Sequence, residues 1–184
     1  GHYFTYRDGK MDIHRYYDED FREGKQKLGE LVNSIDQTVC DSVKAHQIAD
    51  VEVGSFLTSG VDSSYVAAVA RPQHTYSIGF GKGTYNESQQ AGELAELLKL
   101  NNTAESLTDE EAFAAFPRIQ WHLDEPDSNP SCVPLYFLSA LAAKDVKVVL
   151  SGEGADELFA GYIDYGVHTK FKPIKVVTRW LTHL

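Results

Sequence analysis

The chain has 184 residues, with 27 acidic and 17 basic side chains for a formal net charge of −10, and is 42% hydrophobic and 24% charged. Those proportions exclude a disordered chain, and the acidic balance argues against the basic face of a nucleic-acid binder. No apolar run approaches the ~20 residues that span a bilayer, and the two cysteines are too few for a disulfide framework or a four-ligand zinc site, so a soluble protein of the reducing cytoplasm is expected.

Gly1-His2-Tyr3 opens the chain without Met inside a strand-like run, which predicts a fragment or a processed chain; no basic-then-apolar leader follows. Residues 2–17 read as a β-hairpin, because Tyr3-Phe4-Thr5-Tyr6 is β-prone, Asp8-Gly9 is a two-residue turn signal, and Met11, Ile13 and Arg15 alternate with polar neighbours. Its tyrosines, Tyr3, Tyr6, Tyr16 and Tyr17, read as an interdomain or dimer packing surface rather than a base-stacking platform. A long core-facing helix is predicted from residue 21 to about residue 45, with Leu28, Leu31, Val32, Ile35, Val39 and Val43 in one stripe.

The pattern then changes. A short strand over 51–57 leads through a loop, 58–62, into a helix over 63–70. A strand over 75–80, a turn over 81–83, a helix over 87–100 with Leu94, Leu97 and Leu98 on one side, and a strand over 103–107 follow. Thr108 before Asp109-Glu110-Glu111 is a helix-start signal, with helices expected to about residue 121 and over 131–144. Residues 147–150 are a continuous apolar strand, and a further helix begins near Ala155. Beyond Asp164, Lys170, Lys172, Lys175 and Arg179 read as a solvated basic helix face.

Alternating strands and helices predict an α/β fold, a parallel sheet with helices on both faces, preceded by the hairpin. Ligands of such sheets bind beyond the carboxyl ends of the strands. Two loops leave such ends. In Thr58-Ser59-Gly60-Val61-Asp62-Ser63-Ser64, small residues and hydroxyls precede a helix start, which suits a phosphate group. Asp62 fits there if Mg²⁺ bridges it to the phosphates. It is not a Walker A loop, and a plain strand-to-helix turn capped by Ser, Thr and Asp stays open. In Ser151-Gly152-Glu153-Gly154-Ala155-Asp156-Glu157, acids stand among glycines that allow close backbone approach. A capped helix start explains the acids but not Ser151 and both glycines together. His122 near Asp124 and Glu125 has no second histidine at ligand spacing, so a surface or capping role is expected. Cys40 and Cys132 read as small buried hydrophobes.

The two loops together resemble the synthetase domain of glutamine-dependent asparagine synthetases, whose motifs are Ser-Gly-Gly-x-Asp-Ser-Ser, the pyrophosphate loop of the N-type ATP pyrophosphatases, and Ser-Gly-Glu-Gly-(Ala/Ser)-Asp-Glu. Asp124-Glu125-Pro126 with Asn129-Pro130-Ser131 resembles a third family stretch, and Gly1-His2-Tyr3 with Arg15-Tyr16-Tyr17 resembles the end of the preceding glutaminase domain. The resemblance implies the PP-loop, adenine nucleotide alpha hydrolase-like fold. It implies a hairpin remnant over 1–20, an ATP-binding core over 21–165 and the start of an incomplete helical region over 166–184. It places adenine and ribose near Leu57, Ile78, Ser151 and Gly152, and pyrophosphate in the loop of Thr58, Ser59, Gly60, Asp62, Ser63 and Ser64. It further implies Glu153 as the catalytic acid tied to the intermediate, Asp62 and Asp156 near Mg²⁺, and Asp124 and Glu125 on the substrate side. The implied reaction joins aspartate to ammonia through β-aspartyl-AMP at the expense of ATP, in a cytoplasmic enzyme that can form a homodimer.

The chain departs from the family pattern in two ways. Ser59 stands where the motif has Gly, at a cost that depends on the sign of its φ. Nothing matches the family's later lysine-bearing region or its glutaminase nucleophile, and Lys170, Lys172 and Lys175 are not substitutes. Alternatives left open are a related amidating, adenylating enzyme of the β-lactam synthetase kind, and a non-catalytic nucleotide-binding module.

Overall fold

The computed structural model describes residues 1–18, 24–81, 87–163 and 165. Its elements are β1 (His2–Arg7), β2 (Lys10–Arg15), α1 (Leu28–His46), β3 (Val53–Phe56), α2 (Val61–Ala70), β4 (His74–Phe80), α3 (Glu87–Leu98), β5 (Asn101–Leu107), α4 (Asp109–His122), α5 (Cys132–Ala142), β6 (Val148–Leu150) and α6 (Ala155–Phe159). The expected turn beyond Gly81 and the basic tail with Lys170, Lys172, Lys175 and Arg179 lie outside the described residues.

The chain divides into two compact units, Gly1–Thr38 and Val39–Leu184, with the boundary inside α1. In the first unit β1 and β2 pair antiparallel, Arg7 opposite Lys10. Asp8 (φ 51°) and Gly9 (φ 77°) both take positive φ, as a type I′ hairpin turn requires. The helix expected from residue 21 begins instead at Leu28, and the described residues 24–27 are not helical. Gly24-Lys25-Gln26-Lys27 offers no apolar stripe to bury, and Gly is a poor helix former. The stripe expected to face a core is exposed at its start, Leu28 at 77% and Val32 at 53%, and only Val43 is buried.

In the second unit, β3, β4, β5 and β6 form one sheet in the order β5-β4-β3-β6. Every pair is parallel, with Ser55 opposite Thr75 and Val53 opposite Val148. Alternation along each strand sends neighbouring side chains to opposite faces. One face carries Phe56 and Tyr76 into a cluster with Leu138, Leu141 and Ala142 of α5 and with Val146. Leu57 packs in a separate cluster with Ala67 of α2 and with Ala91 and Ala95 of α3. The sheet therefore has helices on both faces, as expected. The side of α3 that packs uses Ala91 and Ala95, while Leu97 is 78% exposed. Short alanines let α3 approach closely the sheet face that carries Thr75 and Ser77, and Leu94 packs at the edge of the same cluster.

Those buried hydroxyls are satisfied. Ser77 donates to the Leu57 carbonyl at 2.7 Å and Thr75 to the Asn101 carbonyl at 2.9 Å, while Asn102 Oδ1 lies 3.0 Å from each hydroxyl. Among the described residues no buried side-chain nitrogen or oxygen lacks a partner, and no helix is long and apolar enough to cross a membrane.

Candidate functional site

The strand order decides where a ligand can sit. From β3 the chain moves outward through β4 to β5, and it returns to the other side of β3 as β6. The strand order thus reverses between β3 and β6, the kind of switch point at which a crevice opens beyond the carboxyl ends of the strands. The loop at 58–60 leaves β3 there, and the loop at 151–154 leaves β6. A cavity of about 600 Å³ lies between them, and Asp62, Glu153 and Asp156 all line it.

The first loop is shaped by its own hydroxyls. Thr58 Oγ1 and Ser63 Oγ are 2.7 Å apart, the Thr58 N–H donates to Ser63 Oγ at 3.1 Å, and the Gly60 N–H donates to Thr58 Oγ1 at 3.1 Å. Ser64 Oγ donates to the Gly60 carbonyl at 2.6 Å. These groups fold the turn onto itself. Gly60, the N-cap of α2, gives no side-chain cap, which leaves first-turn N–H groups and the positive helix end for an anion or water. Ser59 is not among the residues with positive φ, so the side chain that departs from the family motif brings no backbone strain.

The second loop is pressed against the first. A Cβ at Gly152 would lie 2.7 Å from the Ser63 nitrogen and 2.9 Å from the Asp62 carbonyl carbon. Both are backbone atoms of the first turn of α2, so only a glycine permits this approach. Beyond it, the Glu153 N–H lies 3.4 Å from Ser151 Oγ, and Gly154 takes φ 87° to start α6. The contact brings three carboxylates, Asp62, Glu153 and Asp156, to the same cavity as an uncapped helix start.

Opposite the loops the wall is apolar and comes from β4 and α5: Ile78, Phe80, Pro134, Leu135 and Leu138, with Pro130 and Ser131 at its edge. A hydrogen-bonded brace holds that edge. Gln120 of α4 grips both the carbonyl (3.0 Å) and the N–H (2.9 Å) of Asp127. Asp127 Oδ1 accepts from the Asn129 N–H at 2.9 Å, and Asn129 Oδ1 from the Ser131 N–H at 3.0 Å. At the mouth the Tyr162 hydroxyl donates to Glu157 Oε1 at 2.7 Å. That bond holds the Glu157 carboxyl below its ordinary range and pushes the tyrosine up to about 12.

Of the residues expected at the site, Thr58, Gly60, Asp62, Ser63, Ile78, Ser151, Gly152, Glu153 and Asp156 line the cavity. Leu57 does not; its side chain is fully buried in the cluster with Ala67, Ala91 and Ala95. Ser59 and Ser64 lie in the loop but off the cavity wall, and so do Asp124 and Glu125, which are exposed in the connection after α4. The other end of that connection, Pro130 and Ser131, is what reaches the cavity. Sequence reasoning gave no site role to Phe80, Pro134, Leu135 or Tyr162, and Glu157 entered only as one of the acids of the second loop. His122 rests against the rings of Trp121 and Tyr136.

Among the described residues no three His, Cys, Asp or Glu side chains stand together as a metal cage. Mg²⁺ does not need one. It commonly takes one or two carboxylates and completes its shell with substrate phosphates and water. Asp62 and Asp156, which line the same cavity as an uncapped helix start, fit that chemistry.

Comparison with known proteins gives the family. Residues 34–176 match the asparagine synthase family. Asparagine synthetase [glutamine-hydrolyzing] 1 of Bacillus subtilis is 39% identical over 180 residues, covering 95% of this chain and 28% of that protein. A putative asparagine synthetase [glutamine-hydrolyzing] of Mycobacterium tuberculosis H37Rv is 44% identical over 137 residues, 72% of this chain and 21% of that protein. The chain thus spans less than a third of the length of either relative. Among solved structures, NMN synthetase from Francisella tularensis superposes with a TM-score of 0.48 at 20% identity, over 76% of this chain and 60% of that one.

Proposed function

The chain belongs to the asparagine synthase family, and from that premise we propose that it forms the ATP-binding core of an enzyme that makes asparagine from aspartate and ammonia. The observation that carries the reading is the contact of Gly152 with the first turn of α2, which joins a phosphate-type loop and a carboxylate-bearing loop on one cavity.

In the proposed reaction a side-chain carboxylate oxygen of aspartate attacks the α-phosphorus of ATP. The bond from that phosphorus to the bridging oxygen breaks, and pyrophosphate leaves. Ammonia then attacks the acyl carbon of β-aspartyl-AMP, the bond to AMP breaks, and asparagine forms. The loop at 58–64 binds the pyrophosphate through first-turn N–H groups of α2, which stabilise the charge that develops as it leaves. The apolar wall of Ile78, Pro134 and Leu135 takes the flat base and excludes water. Glu153, on the cavity between the two loops, accepts the proton released by the attacking ammonia. Asp62 and Asp156 would hold Mg²⁺, which supplies charge neutralisation for the phosphates. Asp124 and Glu125, off the cavity wall, act through the substrate side of their connection. Ammonia comes from glutamine hydrolysed by a glutaminase domain, which the hairpin of β1 and β2 adjoins. The tyrosines of that hairpin serve packing between domains or in a homodimer. A cytoplasmic setting suits the two free thiols, Cys40 and Cys132.

The test is aspartate-dependent exchange between ATP and pyrophosphate, together with asparagine formation, in the protein at its full natural length. Glu153→Gln is expected to leave ATP affinity within about threefold and to lower synthesis by about 10²-fold or more, the scale of general acid–base catalysis. Unchanged synthesis removes Glu153 from the mechanism. Exchange with another carboxylate but not with aspartate assigns a different acceptor, and ATP binding without any exchange assigns a non-catalytic module.

A further inference from the structure

We propose that Gly161 is a positioning residue for Asp156, its bare Cα leaving the space in which the Asp156 carboxylate lies while that carboxylate faces the cavity. The proposal rests on the reading of this cavity as a Mg²⁺–nucleotide site.

Helix α6 ends at Ala160, which takes the left-handed conformation (φ 56°, ψ 43°), and the Gly161 N–H donates to the Asp156 carbonyl at 3.0 Å. The left-handed position after a helix is where glycine is favoured, because a Cβ is strained there. Here alanine occupies it, and the glycine stands one residue later. Gly161 is not among the glycines with positive φ, which are Gly9, Gly81 and Gly154. The backbone therefore gives no reason for a glycine at 161.

The space around it does. A Cβ at Gly161 would overlap Asp156 Oδ1 and stand 2.9 Å from its Cγ. The two nearest of these atoms belong to a rotatable carboxylate, and the third, the Asp156 Cα, is backbone at 3.3 Å. An alanine is accommodated by turning the carboxylate aside, with the backbone giving by only a few tenths of an ångström at the Asp156 Cα. Asp156 lines the cavity together with Asp62 and Glu153, so turning it aside takes away one of the two carboxylates suited to Mg²⁺. Gly161 acts through Asp156 and touches no substrate.

A double-mutant cycle separates this role from a structural one. Calorimetric titration with ATP in excess Mg²⁺ compares the full-length protein with Gly161→Ala, Asp156→Ala and the double variant, and a thermal midpoint is recorded for each. Each single variant is expected to weaken binding about fivefold or more, with the double variant no weaker than Asp156→Ala alone. With the carboxylate gone, Gly161→Ala is expected not to lower the midpoint, since alanine reduces the entropy of the unfolded chain. Wild-type affinity in Gly161→Ala overturns the proposal, as do losses that multiply in the double variant. A midpoint that falls in the Asp156→Ala background also overturns it, because the glycine is then needed by the backbone; this comparison decides the matter even if Gly161→Ala alone does not fold. Wild-type affinity in Asp156→Ala is a different failure: it removes Asp156 from the nucleotide site itself, and the proposal with it.

Discussion

Tyr76 shows what one side chain can contribute and how it can be tested. It is fully buried, and its hydroxyl donates to Asp145 Oδ2 at 3.3 Å. Burial first, and the Asp145 carboxylate next, push the phenol up to about 12. In the unfolded chain a tyrosine titrates near ~10. The folded state thus holds its proton through a range in which the unfolded state has lost it. The contribution is whole below the unfolded value and is lost as pH rises from about 10 through about 12, with a slope of up to one proton. Urea midpoints measured across that range should fall for the wild type, and Tyr76→Phe should remove this part of the fall while keeping the ring. An identical pH slope in both proteins would show that Tyr76 does not carry it. At this scale the sequence was informative about residue type and silent about direction. Nine of the expected site residues reach the cavity, yet the hydroxyls of Thr58, Ser63 and Ser64 bond within their own loop. Leu57 turns into the core although its neighbours line the site. Alternation along a strand fixes which face a residue takes only once register is known, and register is a tertiary fact.

Elements with strong local signals were the legible ones. Thr108 is the N-cap of α4, where its Oγ1 accepts the Glu111 N–H at 3.2 Å and Glu111 Oε2 accepts the Thr108 N–H at 2.9 Å, a complete capping box. The Thr108 N–H first, and then the Thr108 hydroxyl, which also donates to Glu111 Oε2 at 2.9 Å, hold the Glu111 carboxyl below its ordinary range. Thr108→Ala is expected to cost about 1 kcal/mol, the usual loss for such a cap, read from chemical denaturation near neutral pH. Because the Glu111 contribution is present above the unfolded carboxyl value and lost on acidification, the gap between wild type and variant should narrow as pH falls. A gap that stays constant would separate the cap from Glu111. The hairpin was legible for the same local reason, since Asp8-Gly9 supplies the two positive φ values its turn needs. The start of α1 was not: periodic apolar residues mark a helix face, and nothing in residues 21–27 marks where that face begins. In α3 the leucines Leu94, Leu97 and Leu98 were expected on one side, but the packed side is centred on Ala91 and Ala95, with Leu94 beside them and Leu97 exposed. The space above a sheet is set by the strand side chains beneath, and the sequence of one helix does not contain them.

The whole molecule adds what no local signal contains, the strand order that brings two distant loops to one crevice. Alternating strands and helices imply a parallel sheet, but only the order β5-β4-β3-β6 places the turn after β3 next to the turn after β6. If those turns form one ligand site, they should respond to nucleotide as one. Hydrogen exchange in the full-length protein offers a direct reading. With Mg²⁺ and ATP at about a hundredfold above Kd, ligand linkage supplies up to ~2.7 kcal/mol against opening, or exchange about a hundredfold slower. That protection is expected in the amides of 58–64 and of 151–157 at the same nucleotide concentration. The amides of 71–73, which enter β4 at the opposite end of the strands, should not change. Gly152→Ala forces its Cβ onto the Ser63 and Asp62 backbone, which cannot rotate away as a side chain can. It should therefore abolish the protection of both loops together. Protection confined to one loop, or surviving in the other after Gly152→Ala, would mean that the two motifs are neighbours in space without forming a common site.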